Sequence, residues 1–474
     1  MVTDTQSEQP FSLLKVLPAV FTVAIGMLLT MMDTTIMNVA MPTLQHHFGT
    51  SLTTIQWAIT AYTLALAAVT PLSGWLSDRL TSKWAFGSAI VLFTIFSVAC
   101  SLASSVGMLI TFRALQGLAG GIVGPVGMAL SWQLIPQDKR GSLMAILGLP
   151  LVIAPIAGPI LSGWLLQHVS WRAIFLINVP VGILAVILVL LFIPQIRSEQ
   201  KDSLDWVGLL LAPAGFLSLL YGVHELGSHA LTTLTTGGLI ALGAVLLTLF
   251  VINELRVENP LMAIHAFKSL RFSRGMLVSW LNQIILFGTT LLVPLFLQTA
   301  KGFTALHAGE MMAPQALASF VGMIIGGRLF DKFGVRAAAV PGISMMGIAV
   351  YFLSQITQAT TTTNLVLMIV LLGIGQGMSM MQISTYNLSV APKAIVTRVT
   401  PMINATQQIV NSLSVVLLTN VLSQNIKYAM HHSTLLNLKA NIIVAYGHTF
   451  LVPLGILVVS LLIALTLSKP KKKA

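Results

Sequence analysis

The sequence predicts an all-α integral membrane protein of fourteen transmembrane helices: two six-helix bundles with two further helices inserted between them. Three observations carry this prediction, namely too little charge to coat a water-facing surface, a one-sided distribution of Lys and Arg, and an internal repeat spaced by eight helices. Of the 474 residues, 56% are hydrophobic and only 8% charged, with a mean hydropathy of +0.90, whereas soluble domains carry about 25% charged residues. The apolar residues fall in runs of about twenty, the length a helix needs to cross a hydrocarbon core of roughly 30 Å. The runs recur from end to end and leave no room for a soluble domain between them.

Apolar stretches bounded by charge or turn clusters place the first six helices near 16–41, 53–76, 84–103, 107–130, 141–166 and 170–193. Two more are expected near 204–224 and 234–253, and a last six near 275–298, 307–330, 336–357, 364–389, 402–424 and 446–468. The first run contains Asp33 and is too long for a signal-peptide core, so it is expected as a retained span. An even number of spans puts both termini on one side. Of the 25 Lys and Arg, twenty fall in loops on that side, four (Arg172, Lys301, Lys427 and Lys439) on the other, and Arg113 inside a span. Cytoplasmic loops hold the basic excess, so both ends are expected in the cytoplasm, in the plasma or inner membrane of a bacterium. The net charge of +12 is thereby explained without nucleic acid as a partner. The Lys469 to Lys473 tail reads as a topology anchor beside anionic lipid.

After the second span the chain reads Gly74-Trp75-Leu76-Ser77-Asp78-Arg79, and after the tenth Gly327-Arg328-Leu329-Phe330-Asp331-Lys332-Phe333-Gly334-Val335-Arg336. Both are Gly-x-Leu-x-Asp followed by a base. The ninth span therefore corresponds to the first, and the plan is six, two, six: an amino-terminal bundle over 1–195, two linker helices over 196–262 and a carboxy-terminal bundle over 263–474. Repeated six-span halves with a site at their interface are a recurrent transporter architecture.

These loops resemble the signature that follows the second and eighth helices of twelve-span major facilitator proteins. The resemblance extends to Met32-Asp33-Thr34-Thr35-Ile36-Met37-Asn38-Val39-Ala40-Met41-Pro42, similar to the first-helix signature of the fourteen-span drug:proton antiporter family, the EmrB/QacA group. Arg113-Ala114-Leu115-Gln116-Gly117 is similar to that family's Arg-x-x-Gln-Gly motif, and Gly158-Pro159-Ile160-Leu161-Ser162-Gly163 to its antiporter motif. The Trp171 to Gly182 stretch and Asp205-Trp206-Val207-Gly208 also match. Thr81 stands where the loop signature has Gly, and Ala154 and Ser162 replace glycines of the fifth-span motif. The resemblance implies proton-driven export of small amphipathic or cationic organic compounds, as in multidrug efflux, by alternating access. A narrow-specificity metabolite or siderophore exporter, or a proton symporter, would use the same fold. A non-transporting sensor is the reading from another class.

Asp33 is the most informative residue, because a carboxylate near a helix centre costs about 2.5–3.5 kcal/mol on insertion scales. It lies about 12 Å from the outer end of its span and Arg113 about 9 Å from the end of its own, at 1.5 Å per residue. The two are expected at comparable depth. Desolvation disfavours a carboxylate's charge and a nearby cation favours it, so alternating access would load and unload a proton at Asp33, with Arg113 as partner. The alternative is a permanent ion pair joining two helices. Gln116 would extend the network. Gly158, Pro159 and Gly163 would let the fifth span kink and approach a neighbour closely. Asp78 with Arg79, and Asp331 with Lys332 and Arg336, would clamp a cytoplasmic gate beside Gly74 and Gly327. Asn282, Gln283, Gln376, Gln382, Asn404 and Gln407 are candidates to line a polar substrate cavity, interhelical hydrogen bonding being their commoner use.

Other classes find no support. Cys100 is the single cysteine, which excludes a disulfide framework. His46-His47 and His431-His432 lack the acidic or thiol neighbours a metal site needs. There is no phosphate-cradling Gly-rich loop ending in Lys-Ser or Lys-Thr. No cofactor, no metal and no enzymatic activity are expected, and no accessory subunit can be named. The expected partners are a small organic substrate, protons and the lipid bilayer.

Overall fold

The computed structural model describes residues 13–195, 205–225, 234–303, 305–392, 395–431 and 438–468. The Lys469 to Lys473 tail, His432 and the start of the expected linker region lie outside these. Among the described residues seventeen α-helices and four short 3₁₀ turns run in chain order. They begin with α1 (Leu13–Phe48), α2 (Leu52–Val69), α3 (Ser73–Leu80), α4 (Ser82–Ser101), α5 (Val106–Leu134), α6 (Arg140–Met144), α7 (Leu149–His168), α8 (Ala173–Leu176) and α9 (Asn178–Phe192). Next come α10 (Trp206–Glu225) and α11 (Leu234–Arg256). The rest are α12 (Leu270–Thr299), α13 (Ala305–Phe333), α14 (Val335–Ser354), α15 (Thr362–Val390), α16 (Val396–His431) and α17 (Leu438–Ala464).

Thirteen helical segments among the described residues are long and apolar enough to cross a membrane. The expected fifth span departs most from its prediction. It is broken into α6, a 3₁₀ stretch Ala145–Gly148, and the twenty-residue α7. Pro150 opens α7 at its first turn, where a missing N–H leaves no bond unmade. Side-chain caps fix several starts: Ser51 accepts from Thr54 N at 3.1 Å, Ser105 from Met108 N at 3.2 Å and Thr361 from Asn364 N at 3.3 Å. Each satisfies one of the donors that a helix start leaves orphaned.

The repeat seen in the loops recurs in the packing. Gly117 and Gly121 of α5 lie against the backbone carbonyls of Tyr62 and Leu66 on α2, and Gly373 and Gly377 of α15 lie against those of Gln315 and Ser319 on α13. An added Cβ would collide at all four, so both helix pairs need glycine for close approach. One core cluster centres on α1, α4 and α5 but reaches across to Met276, Met381 and Met402 of α12, α15 and α16. A second is confined to helices after residue 270. The surface is apolar, with Leu210 72% and Leu191 69% exposed, as suits lipid contact. Helices α10 and α11 pack on each other, and α10 also touches α2 and α16.

Candidate functional site

Helices α1, α5 and α9 converge on Asp33, which is 2% exposed although it carries a carboxylate. Arg113 of α5, 0% exposed, donates from one terminal nitrogen to Asp33 Oδ2. The other carboxylate oxygen accepts from Gln116 Nε2 at 3.1 Å and from Asn178 Nδ2 at 2.9 Å. Arg113 is itself held by Ala58 O at 3.2 Å, by Gln116 Oε1 at 2.7 Å and by the Tyr62 ring, 4.2 Å from its central carbon. Asn178 bridges on to Ser97 at 2.9 Å, whose hydroxyl donates to Phe175 O at 2.9 Å. Both oxygens of the carboxylate are therefore hydrogen-bonded, as a buried charge requires, while Arg113 Nη2 has no hydrogen-bond partner among the described residues. Cys100 Sγ donates to Gln116 Oε1 at 3.7 Å; it belongs to this network and to no disulfide.

The fifth-span motif bears directly on the same helix. A Cβ at Gly158 would collide with Thr35, two residues beyond Asp33. Thr35 Oγ1 donates to Ala154 O at 3.0 Å, and Ser162 Oγ to Ile36 O at 3.0 Å. Gly163, by contrast, has nothing within 4 Å, so close packing explains Gly158 and not Gly163. Pro159 sits in α7, with its side chain outside the described residues.

At the end of the molecule carrying the two loop signatures, both acids make contacts with helices distant in sequence. Asp331 accepts from Gly141 N at 2.6 Å, Ser142 N at 2.9 Å and Ser142 Oγ at 2.5 Å, at the start of α6. A carboxylate at a helix start is stabilised by the N–H groups and the dipole there. Asp78 lies 3.6 Å from Arg398 Nε, at the start of α16. The glycines of both signatures permit this crossing: a Cβ at Gly74 would lie 2.7 Å from Thr397 O, and one at Gly327 2.8 Å from Gly141 O. Arg79, Lys332 and Arg336 are exposed. The crossed contacts tie α13 to α6 and α3 to α16 at this end.

Thr81 and Gly334 occupy equivalent places in the two signatures, and both adopt positive φ, 76° and 89°. That region suits glycine and strains a β-branched residue. Thr81 therefore keeps the glycine conformation without the glycine.

The hydrogen bonds of the expected cavity residues run to several different helices. Gln116 belongs to the Asp33 network. Gln376 accepts from Gln315 Nε2 at 2.9 Å and donates to Thr289 at 3.4 Å, linking α15, α13 and α12. Asn282 turns toward α17, accepting from Ser460 at 3.0 Å. Asn404 donates to Thr400 O of its own helix at 2.9 Å, and Gln407 to Ser279 at 3.3 Å. Gln283 and Gln382 are buried, and neither side-chain polar atom of Gln382 has a hydrogen-bond partner among the described residues. Sequence reasoning missed Asn178, Ser97, Tyr62, Gln315 and Arg398. Asn178 stood inside the Trp171 to Gly182 stretch, the only one of these with a signal. Among the described residues no cluster of metal-ligating side chains occurs.

Repeated helix pairs, a buried acid–base pair within one half and crossed loops at one end are the build of a membrane transporter. Residues 23–415 match the model of the Major Facilitator Superfamily, and the chain belongs to that superfamily of transporters. It is 34% identical over 418 residues to the MFS-type transporter YhcA of Bacillus subtilis, covering 88% of this chain and 77% of that protein. The multidrug resistance protein B homolog of Mycobacterium tuberculosis is 30% identical, over 85% of this chain and 75% of its own. The putative multidrug resistance protein MdtD of Escherichia coli is 35% identical over 67% of each chain. The solved proton:xylose symporter XylE superposes with a TM-score of 0.67 at 15% identity, over 98% of both chains. The human organic anion transporter MFSD10 gives 0.66 at 13%, over 93% of this chain and 99% of that one. At such identities these two structures speak for the fold alone.

Proposed function

We propose that this transporter is a proton-coupled exporter of small amphipathic or cationic organic compounds, working by alternating access. In this reading α7 completes a set of fourteen spans in a six, two, six arrangement, with both termini in the cytoplasm of a bacterial inner membrane. The observation that carries the proposal is Asp33: a carboxylate sealed from solvent, facing a guanidinium that is equally sealed. Intramembrane ionisable groups of this kind mark proton relays. The multidrug names of two relatives support drug efflux as the physiological task.

In this reading the crossed loops are the cytoplasmic gate, closed while a proton enters from outside. A proton reaching Asp33 from outside removes the charge that Arg113 balances. Arg113 keeps Ala58 O, Gln116 Oε1 and the Tyr62 ring, while α1 loses its strongest tie to α5. Movement of α1 against α7, where Thr35 and Gly158 are in close contact, carries the change toward the loops that must part for the cytoplasmic end to open. Substrate binding from inside then restores the ion pair and releases the proton. For a neutral substrate one proton gains about 2.3 kcal/mol per 100 mV, enough for roughly fortyfold accumulation at 1.4 kcal/mol per tenfold step. One-for-one exchange with a monovalent cation moves no net charge and draws on the pH difference alone.

The test is transport in everted membrane vesicles energised by respiration, with ethidium as an amphipathic cationic probe. Uptake into the lumen that collapses with a protonophore supports the proposal; uptake unaffected by it contradicts proton coupling. Lumenal alkalinisation in step with uptake identifies antiport, and acidification identifies symport.

A further inference from the structure

The two inserted helices meet the loop-closed end through a knot of buried polar groups. Glu254, in the last turn of α11, is 0% exposed, and its carboxylate accepts the backbone N–H groups of Leu261 at 3.3 Å and Met262 at 2.9 Å. These residues lie on the strap that joins α11 to α12. Beside it Asp205 caps the start of α10, accepting from Gly208 N at 2.9 Å and from Asn253 Nδ2 at 2.6 Å. Gly208 fits beneath both acids: a Cβ there would lie 2.9 Å from Glu254 Oε1 and collide with Asp205. The start of α10, the end of α11 and the strap are thus one unit.

The strap continues directly into the gate. Ala263 donates its N–H to Arg398 O at 3.3 Å, and Arg398 is the residue that pairs with Asp78 at 3.6 Å. Met262 and Ala263 are buried in the core cluster that holds Val396 and Val399 of α16 together with Val23 and Phe86 of α1 and α4. Helix α10 touches α2, the 3₁₀ turn Thr70–Leu72 leading into α3, and α16. It therefore bridges the seam that Asp78 and Arg398 close. Only contacts that differ between two states move their equilibrium, and parting α3 from α16 obliges α10 to release one side.

We propose that Glu254 is a positioning residue for the gate, and that the inserted hairpin is a brace that holds the start of α16 against α3 through the strap. The proposal rests on reading the crossed loops as a gate. It gives the inserted helices a task that lipid-facing bystanders would not need, since an unpaired buried carboxylate is costly and this one spends both oxygens on strap N–H groups.

The experiment measures a distance across the gate in the full chain reconstituted in lipid nanodiscs. Spin labels at L80C and F333C occupy equivalent, exposed positions in the two loop signatures, and buried Cys100 stays in place. Pulsed electron paramagnetic resonance then reads the distance distribution. Glu254→Gln keeps an acceptor for only one strap N–H, and Gly208→Ala displaces both acids. Each is expected to raise the population at longer distance by about fivefold or more, from the loss of a hydrogen bond to a buried carboxyl group. Leu249→Ala, on the exposed face of α11, is expected to leave it unchanged. If Asp331→Asn lengthens the distance while folded Glu254→Gln and Gly208→Ala do not, the brace is wrong and the gate stands. If Asp331→Asn has no effect either, the gate reading fails and the brace with it.

Discussion

Replacing Asp33 by Asn tests whether the buried pair is a switch or only a bolt. The acid serves three donors: Arg113 on one oxygen, with Gln116 at 3.1 Å and Asn178 at 2.9 Å on the other. An Asn side chain offers one oxygen and one NH₂. With its oxygen toward Arg113, its NH₂ confronts two amide donors; turned over, its NH₂ confronts the guanidinium. Gln116 cannot simply flip to help, because its Oε1 already accepts from Arg113 at 2.7 Å. Arg113 is left as an uncompensated charge at 0% exposure, and removing one partner of a buried pair costs about 3–5 kcal/mol. Asp33→Asn is therefore expected to lower the thermal denaturation midpoint markedly, and adding Arg113→Gln to recover most of the loss. The coupling in the double-mutant cycle should be about 3 kcal/mol, at the upper end of the range for contacting residues. The assay is thermal unfolding in one detergent followed by intrinsic tryptophan fluorescence, paired with vesicle transport. The doubly substituted protein should be stable and inactive in proton-driven export. A single Asp33→Asn variant as stable as the wild type would refute the energetic reasoning, and a doubly substituted variant that exports at the wild-type rate would refute the switch.

Three further outcomes are expected. Thr81→Gly should raise the denaturation midpoint, by the equivalent of about 1–3 kcal/mol of backbone strain, and Gly334→Thr should lower it; equal midpoints would count against strain at φ 76°. Gly158→Val should abolish transport by driving α7 off Thr35, whereas Gly163→Ala, in open space, should transport normally in the same vesicle assay. Asp331→Asn loses its charge against two backbone N–H groups and the Ser142 hydroxyl. In a Ser142→Cys background, where the two backbone N–H bonds remain, it should increase the reactivity of that thiol toward a membrane-impermeant maleimide in everted vesicles by about tenfold, from some 1.5 kcal/mol per charge-assisted bond.

Much of the architecture was legible because lipid imposes simple rules. Runs of about twenty apolar residues announce spans, and the paired Gly-x-Leu-x-Asp loops revealed a repeat that the glycines at 117, 121, 373 and 377 reproduce in the packing. The interrupted fifth span was not legible, since the 3₁₀ stretch Ala145–Gly148 is as apolar as the helix it interrupts. Asp33 and Arg113 stood out because charge is rare at that depth. Their supports Asn178 and Ser97 did not, because amides and hydroxyls near span ends are ordinary. Asp331 has partners that no residue type advertises: two of its three donors are backbone N–H groups. The scattered amides of α12, α15 and α16 show the same ambiguity from the other side, since Asn282 and Asn404 make the bonds between or within helices that such residues commonly make.

Proton coupling at Asp33 is tested most directly by adding ethidium to weakly buffered, detergent-solubilised protein and recording the pH. At a starting pH acidic enough to protonate the probe-free protein, the wild type should release up to one proton per bound probe, and the stable Asp33→Asn/Arg113→Gln variant should bind the probe and release none. Release of the same number of protons by both proteins would place the coupling site elsewhere and contradict the account.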